Sequence, residues 1–178
     1  IMKKNKNKIK IKIKALFITI GVIVLGILAY NLFFKPAPVI IEEMGESIPI
    51  QNRDHINQSE TIQVYNSNPP TSGPHAGAIK GGFYSEEILD INGVHNLEHG
   101  YIWITYRNIS PVAQAKLKKI AKRYSGRVLV SERMANDTQI AMASWGRMDK
   151  ITESTFDEDY VLRFIKKYTN KSPEKFAK

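Results

Sequence analysis

The sequence predicts an α+β domain, with one partly antiparallel sheet and helices on one face, preceded by a single N-terminal transmembrane helix. Three observations carry this prediction. A block of lysines is followed by a long uncharged apolar run, and the rest of the chain is long enough to bury a hydrophobic core. Its second half reads in the order strand, helix, strand, strand, helix, which is typical of α+β domains.

The transmembrane helix is predicted at residues 15–34, which read ALFITIGVIVLGILAYNLFF and carry no charge. A helix of this length rises about 1.5 Å per residue and reaches about 30 Å, the thickness of the hydrocarbon core of a bilayer. Tyr30 lies where an interfacial aromatic belt is expected, and Pro36 and Pro38 oppose further helix. A cleaved signal peptide is the alternative, but its apolar region usually spans about 7–15 residues and ends in an Ala-x-Ala-like site, which is missing here.

Charge distribution predicts the orientation of this helix and excludes nucleic acid as a partner. Residues 1–14, the lysine-rich cytoplasmic tip, contain seven lysines and no acidic residue. Such a bias keeps the N-terminus in the cytoplasm and suits anionic lipid headgroups, so the rest of the chain is predicted to be extracytoplasmic in a bacterial envelope. Subtracting the seven lysines from the formal net charge of +9 leaves +2. A nearly neutral domain gives no electrostatic reason to bind DNA or RNA.

The extracytoplasmic part divides into a tether and entry segment, residues 35–60, and a domain, residues 61–178. The domain is predicted to contain strands at 101–106, 127–132 and 138–145 and helices at 110–126 and 154–168. Residues 135–137, Ala-Asn-Asp, suit a short hairpin between the second and third strands. The chain has no cysteine, so disulfides, a lipidated cysteine and thiolate metal ligands are all excluded.

All four histidines of the chain lie between positions 55 and 99. His75 ends a loop stiffened by proline and glycine, and loops on rigid scaffolds commonly hold functional groups. His95 and His99 flank Leu-Glu just before a strand. Four residues apart, they come close only in a helical turn, at about 6 Å between Cβ atoms, whereas in a strand about 13 Å would separate them.

Two motifs, NPPTSGPH at residues 68–75 and HNLEHG at residues 95–100, resemble the characteristic motifs of a bacterial family catalogued as domain of unknown function 3105. The resemblance covers most of the domain and extends to ASWG at residues 143–146. It implies no established activity. It does imply a membrane-tethered or secreted domain and a histidine set that matches His75, His95 and His99, with His55 as a weaker match.

A metal site is predicted from these histidines, because neutral imidazole is the commonest protein ligand for zinc and copper. The predicted ligands are His75, His95, His99 and His55, and the predicted supporting residues are Glu98, Ser72 and Tyr65. The ion is predicted to be copper or zinc, and storing, delivering or sensing copper is preferred over structural zinc. Met134, Met142 and Met148 would favour reduced copper if they reached the site, although an apolar strand places Met142 in the core.

Three other interpretations stay open. The histidines can cap loops or bond within a polar core without any metal. His95-x-x-Glu98-His99 formally matches the inverted zinc-protease motif H-x-x-E-H, in which Glu98 would activate a zinc-bound water. However, that motif belongs in a long helix, and Gly100 followed by a strand opposes one, so an enzyme is not the preferred interpretation. Finally, Pro69-Pro70 with nearby aromatic residues can form a surface for a protein partner in the envelope.

Overall fold

The computed structural model describes residues 2–33, 43–60 and 63–176. The chain forms two compact units, Ile1–Glu42 and Glu43–Lys178. The described part of the first unit is a helix, and the second unit, the C-terminal domain, contains the sheet.

The helix of the first unit, α1, runs from Met2 to Phe33. Its segment Ile13–Asn31 is long and apolar enough to cross a membrane, and the side chains of that segment are exposed. A membrane anchor and a signal sequence both have these properties. The predicted span of residues 15–34 therefore overlaps a candidate anchor, while its last residue, Phe34, and residues 35–42 of the predicted tether lie outside the described residues.

The described part of the C-terminal domain is a mixed α+β structure, as predicted. Its elements are β1 (Glu46–Ser47), β2 (Gly82–Glu87), α2 (Asp90–Glu98), β3 (Ile102–Tyr106), α3 (Pro111–Arg123), β4 (Val128–Glu132), β5 (Ile140–Ser144), β6 (Arg147–Ile151), a 3-10 helix (Glu153–Thr155) and α4 (Glu158–Tyr168). The five predicted elements correspond to β3, α3, β4, β5 and α4. Ser110 caps α3 as expected, because its hydroxyl accepts from the amide of Ala113. Helix α4 begins later than predicted and is capped by Asp157.

The strands form one sheet in the order β1-β6-β5-β3-β4-β2. Strand β4 is parallel to both β2 and β3, and the other neighbouring strands are antiparallel. The predicted hairpin between β4 and β5 is therefore wrong, since β3 lies between them. Ile102, Trp103 and Ile104 are fully buried, and a strand covered on both faces takes a central position. Trp145 and Gly146 make the real hairpin turn, between β5 and β6.

The two predicted helices pack on the same face of the sheet. Leu117 of α3 and Phe164 of α4 share a core cluster with Ile104, Val130 and Met142 from the central strands. The short helix α2, which was not predicted as an element, packs on the opposite face, where its apolar residues meet Trp103, Leu129 and Ala143. This second face carries the histidine motifs.

Helix α2 lies close to the sheet because residue 93 is glycine. A Cβ atom built there would lie 2.5–2.6 Å from three ring atoms of Trp103. That ring is fully buried, and its Nε1–H donates to the hydroxyl of Ser131 over 3.0 Å, so it has little freedom to move. Gly93 thus lets the helix that carries His95 and Glu98 pack directly on β3.

We expect Gly93→Ala to lower the free energy of unfolding by about 1–2 kcal/mol. Because the clash is with a ring that has little freedom to move, overpacking should cost about 2–3 kcal/mol, the upper part of the usual range, and the gain in helix propensity returns about 1 kcal/mol. Urea unfolding of the full chain in detergent, followed by tryptophan fluorescence, measures this change. The matched control is Val112→Ala on the exposed face of α3, with an effect within about 0.5 kcal/mol. Equal stabilities for Gly93→Ala and the wild type would contradict the packing argument.

Candidate functional site

His75 lies at the end of the loop formed by residues 66–75, which is held by hydrogen bonds to the rest of the domain. The hydroxyl of Tyr65 donates to the carbonyl of Pro74 over 2.8 Å, and burial raises the pKa of Tyr65, so the hydroxyl keeps its proton. The buried hydroxyl of Ser72 accepts from the amide of Gln51 over 2.9 Å. The side-chain amide of Asn68 donates to the carbonyl of Ala135. The loop is therefore fixed to the rest of the domain before His75 is reached.

The same loop holds His55 beside His75 through backbone pairing. The two residues form an isolated parallel β-bridge. The amide of His75 donates to the carbonyl of Asp54, and the amide of Ile56 donates to the carbonyl of His75, each over 3.0 Å. Two separate segments thus present one imidazole each to the same place.

Helix α2 supplies His95 and Glu98, and His99 follows as its C-terminal cap residue. The segment is helical, which is the condition under which the two histidines come close, and it brings Nε2 of His95 to 2.8 Å from Nε2 of His99. Asn92 and Asn96, on the same helix, bond the carbonyls of Ala76 and Ile79 with their side-chain amides. These bonds fix α2 against the segment that follows His75.

His55, His75 and His95 come together as a group that could hold a metal ion. Each offers one nitrogen, and the three nitrogens lie within 4.8 Å of one another. The ring centroids are separated by 4.6 Å (His55 to His75), 5.2 Å (His55 to His95) and 5.0 Å (His75 to His95). His75 is fully buried, whereas the side chain of His55 is 60% exposed. The cluster thus reaches from the protein interior to solvent.

Glu98 closes the buried side of the cluster. Its Oε2 lies 2.8 Å from Nε2 of His75 and 3.9 Å from Nε2 of His55, and its Oε1 lies 3.6 Å from Nη1 of Arg53. The distance between Nε2 of His75 and Oε2 of Glu98 is short enough for a hydrogen bond, but the angle is not suitable for one. Both atoms are buried and have no hydrogen-bond partner. The other ring nitrogen of His75, Nδ1, bonds the carbonyl of Gly73 over 2.8 Å.

His99 lies beside the cluster and contacts one of its members. Its ring stacks on that of His95 with the centroids 4.7 Å apart. Its Nδ1 lies 3.2 Å from Oε2 of Glu174, at an angle too poor for a hydrogen bond. Burial, together with the neighbouring His75, His99 and His55, lowers the pKa of His95 to about 4. His95 is therefore neutral near pH 7, which is the form that binds metals.

Among the predicted site residues, His55, His75, His95 and Glu98 meet, and His99 is adjacent to them. Ser72 and Tyr65 support the cluster indirectly, because their hydrogen bonds hold the loop that bears His75. Sequence reasoning missed Arg53 and Glu174. Neither belongs to a motif, and the position of Glu174 near the C-terminus gave no signal of its place beside His99.

Comparisons with known proteins identify the family of the chain but no activity, ligand or partner. The family model described as "Protein of unknown function (DUF3105)" matches residues 55–178, which include all four histidines and both motifs. No curated protein matches the chain. No solved structure matches it either.

Proposed function

The chain belongs to this family of unknown function, and we propose that its C-terminal domain binds one divalent transition-metal ion, copper(II) or zinc(II), through His55, His75 and His95. Glu98 supplies a fourth donor. The domain would then handle metal at the outer side of a membrane. In this arrangement the N-terminal helix is an uncleaved anchor and the lysines before it stay in the cytoplasm.

One observation carries the proposal: the contact between His75 and Glu98. Because Nδ1 of His75 donates its hydrogen to Gly73, Nε2 of the neutral ring presents a lone pair. A carboxylate oxygen, which is also an acceptor, lies only 2.8 Å away, and both atoms are buried without a partner. Two buried acceptors at this distance need a positive centre between or beside them. A metal ion also held by two further imidazoles meets that need.

The rival is a second proton on His75, which would make an imidazolium–carboxylate pair. This explains the contact with Glu98 but gives no reason for two more imidazoles beside the same ring. Burying a charge is favourable only when the surroundings compensate it. A metal ion uses all three nitrogens and the carboxylate oxygen at once, so it accounts for more of the site.

The donor set favours a divalent ion over reduced copper. Imidazole suits zinc and copper, whereas copper(I) prefers soft thiolate and thioether ligands. The chain has no cysteine. Met142, the methionine predicted to lie in the core, packs in the cluster between the sheet and helices α3 and α4, on the opposite face from the histidines. Met134 is 45% exposed. Neither of these two methionines therefore gives an argument for copper(I).

Exposure of one ligand favours exchange of the ion over a permanent structural role. His55 is largely open to solvent and belongs to a segment outside the main sheet, so an incoming ligand can displace it without disturbing the core. The hydrophobic core is built without the histidines. A zinc hydrolase is less well supported, because α2 ends at Glu98 and the carboxylate already lies against His75.

The test is titration of the purified full chain in detergent with zinc(II), copper(II) and copper(I), each against a competing chelator. We expect one equivalent of zinc(II) or copper(II) to bind, and copper(I) to bind more weakly. The triple variant His55→Ala/His75→Ala/His95→Ala should lose the site, and Met134→Leu should leave it unchanged. A folded wild-type chain that binds none of these ions would refute the proposal and favour a structural or partner-binding role.

A further inference from the structure

We propose that Glu174 and His99 are positioning residues which make His95 bind the metal through its Nδ1 atom. This inference rests on the proposed function and deepens it. It assigns a ligand atom, and it moves His99 from the set of predicted ligands to a supporting position behind His95.

His95 and His99 contact each other through one ring nitrogen each. Their Nε2 atoms are 2.8 Å apart, a hydrogen-bond distance between two ring nitrogens. Such a bond needs one hydrogen, carried by either ring. If His99 carries it, Nε2 of His95 is the acceptor and cannot also bind a metal. If His95 carries it, its lone pair is on Nδ1.

Glu174 decides between the two. A carboxylate is negatively charged, and it accepts but does not donate. Although the angle is too poor for a hydrogen bond, its oxygen lies 3.2 Å from Nδ1 of His99 and so favours a hydrogen there over a lone pair. Neutral His99 then has its lone pair on Nε2 and accepts the hydrogen of His95. The remaining nitrogen of His95, Nδ1, is buried and has no hydrogen-bond partner. A buried lone pair without a partner, close to two other imidazoles, is expected of a metal ligand in a site without its ion.

The backbone places Glu174 where this role requires it. Helix α2 leaves its last carbonyls without partners inside the helix. The amide of Glu174 donates to the carbonyl of Glu98, and the amide of Phe176 donates to the carbonyl of His99, each over 3.1 Å. The ring of Phe176 also packs on His99 with the centroids 5.1 Å apart. The C-terminal segment is therefore bound along the end of α2, and its carboxylate faces the outer nitrogen of His99.

In many metal sites a carboxylate orients a histidine ligand by bonding to it directly. Here the carboxylate of Glu174 contacts His99, and His99 in turn bonds to the ligand His95. Supporting groups of this kind are worth about 10–100-fold in metal affinity. Removing the carboxylate of Glu174 leaves every ligand in place but frees His99 to turn or change tautomer. His95 then divides between two tautomers, and only one of them offers Nδ1.

Long-range proton–nitrogen NMR of the full chain, labelled with ¹⁵N only in histidine, tests the assignment. Zinc(II) is the probe, because it is diamagnetic. We expect the metal-free protein to show His95 with hydrogen on Nε2, and the zinc-loaded protein to show the coordination shift on Nδ1 of His95. A hydrogen on Nδ1 in the metal-free protein, or zinc on Nε2 of His95 or on either nitrogen of His99, would overturn the inference.

Two variants separate positioning from folding. Glu174→Gln should weaken zinc binding about 10–100-fold and give His95 a mixed-tautomer spectrum. Lys175→Gln, an exposed neighbour in the same segment, should change neither. An unchanged His95 spectrum in Glu174→Gln would contradict the role of the carboxylate. If the wild type binds no zinc, the proposed function fails and the ligand assignment fails with it. If the wild type binds zinc but not through Nδ1 of His95, only the ligand assignment fails.

Discussion

Replacing His75 by alanine is expected to lower the affinity for zinc(II) or copper(II) by more than about 100-fold. Supporting groups alone are worth about 10–100-fold, and a ligand contributes more than its supports. His75 is the member of the cluster with the least freedom, because it is fully buried and bonded at Nδ1 to Gly73. His55→Ala should have a smaller effect, since that side chain is 60% exposed and water can take its place. Competition titration measures both.

Glu98→Gln supplies the control that tells a metal site from an ion pair. If the contact with His75 awaits a metal, removing the buried charge should stabilise the metal-free domain, while the loss of a donor weakens metal binding. If the contact is an imidazolium–carboxylate pair, the same change leaves a buried positive charge alone and destabilises the metal-free domain. Urea unfolding in the presence of a chelator measures whether the substitution raises or lowers the free energy of unfolding of the metal-free domain. Destabilisation would contradict the metal site.

Replacing Arg133 by leucine is expected to lower the free energy of unfolding by about 3 kcal/mol, the lower end of the cost of breaking a buried ion pair, because Arg133 is nearly buried but Asp90 is partly exposed. Its guanidinium forms a two-bond pair with Asp90, with Nε and Nη2 each 2.8 Å from a carboxylate oxygen. Its Nη1 donates to the side-chain carbonyls of Asn68 and Asn136. One side chain thus joins the start of α2, the loop that leads to His75 and the connection between β4 and β5.

The control for Arg133 is Lys150, whose ammonium lies 2.8 Å from Oδ2 of Asp137 at the surface. The separation is the same, but both side chains are considerably more exposed, and such pairs are worth about 0–1 kcal/mol. Lys150→Leu should therefore change stability little. Both tryptophans lie in the C-terminal domain, so fluorescence during urea unfolding reports on that domain alone. Equal effects of the two substitutions would contradict the role given to burial.

The strands and helices that carry strong periodic patterns were predictable, and the weak ones were not. Residues 101–106 are rich in aromatic and β-branched residues, and all but the first of them form the central strand β3. Strand β6, which reads RMDKI, lies near the edge of the sheet and has no such pattern. The order of the strands was not predictable either. The residues between β4 and β5 look like a tight turn, but they connect two strands that lie on either side of β3.

The histidines of the site were predictable from residue type and motif. Which of them form the cluster and which lies beside it was not predictable. Spacing alone showed that His95 and His99 come close only if they share a helical turn. It could not tell that one faces His75 and the other faces Glu174, since that depends on a C-terminal segment far away in the sequence. Arg53 likewise reaches Glu98 only through the pairing of its segment with His75. Long-range contacts of this kind leave no local pattern.

The most direct test of the metal site is X-ray absorption of the full chain loaded with one equivalent of zinc(II) or copper(II). We expect a first shell of nitrogen and oxygen only, with zinc–nitrogen distances of about 2.0–2.1 Å, and an outer-shell pattern of three imidazoles. A spectrum with a single imidazole or with sulfur ligands, or a chain that retains no ion, would contradict it.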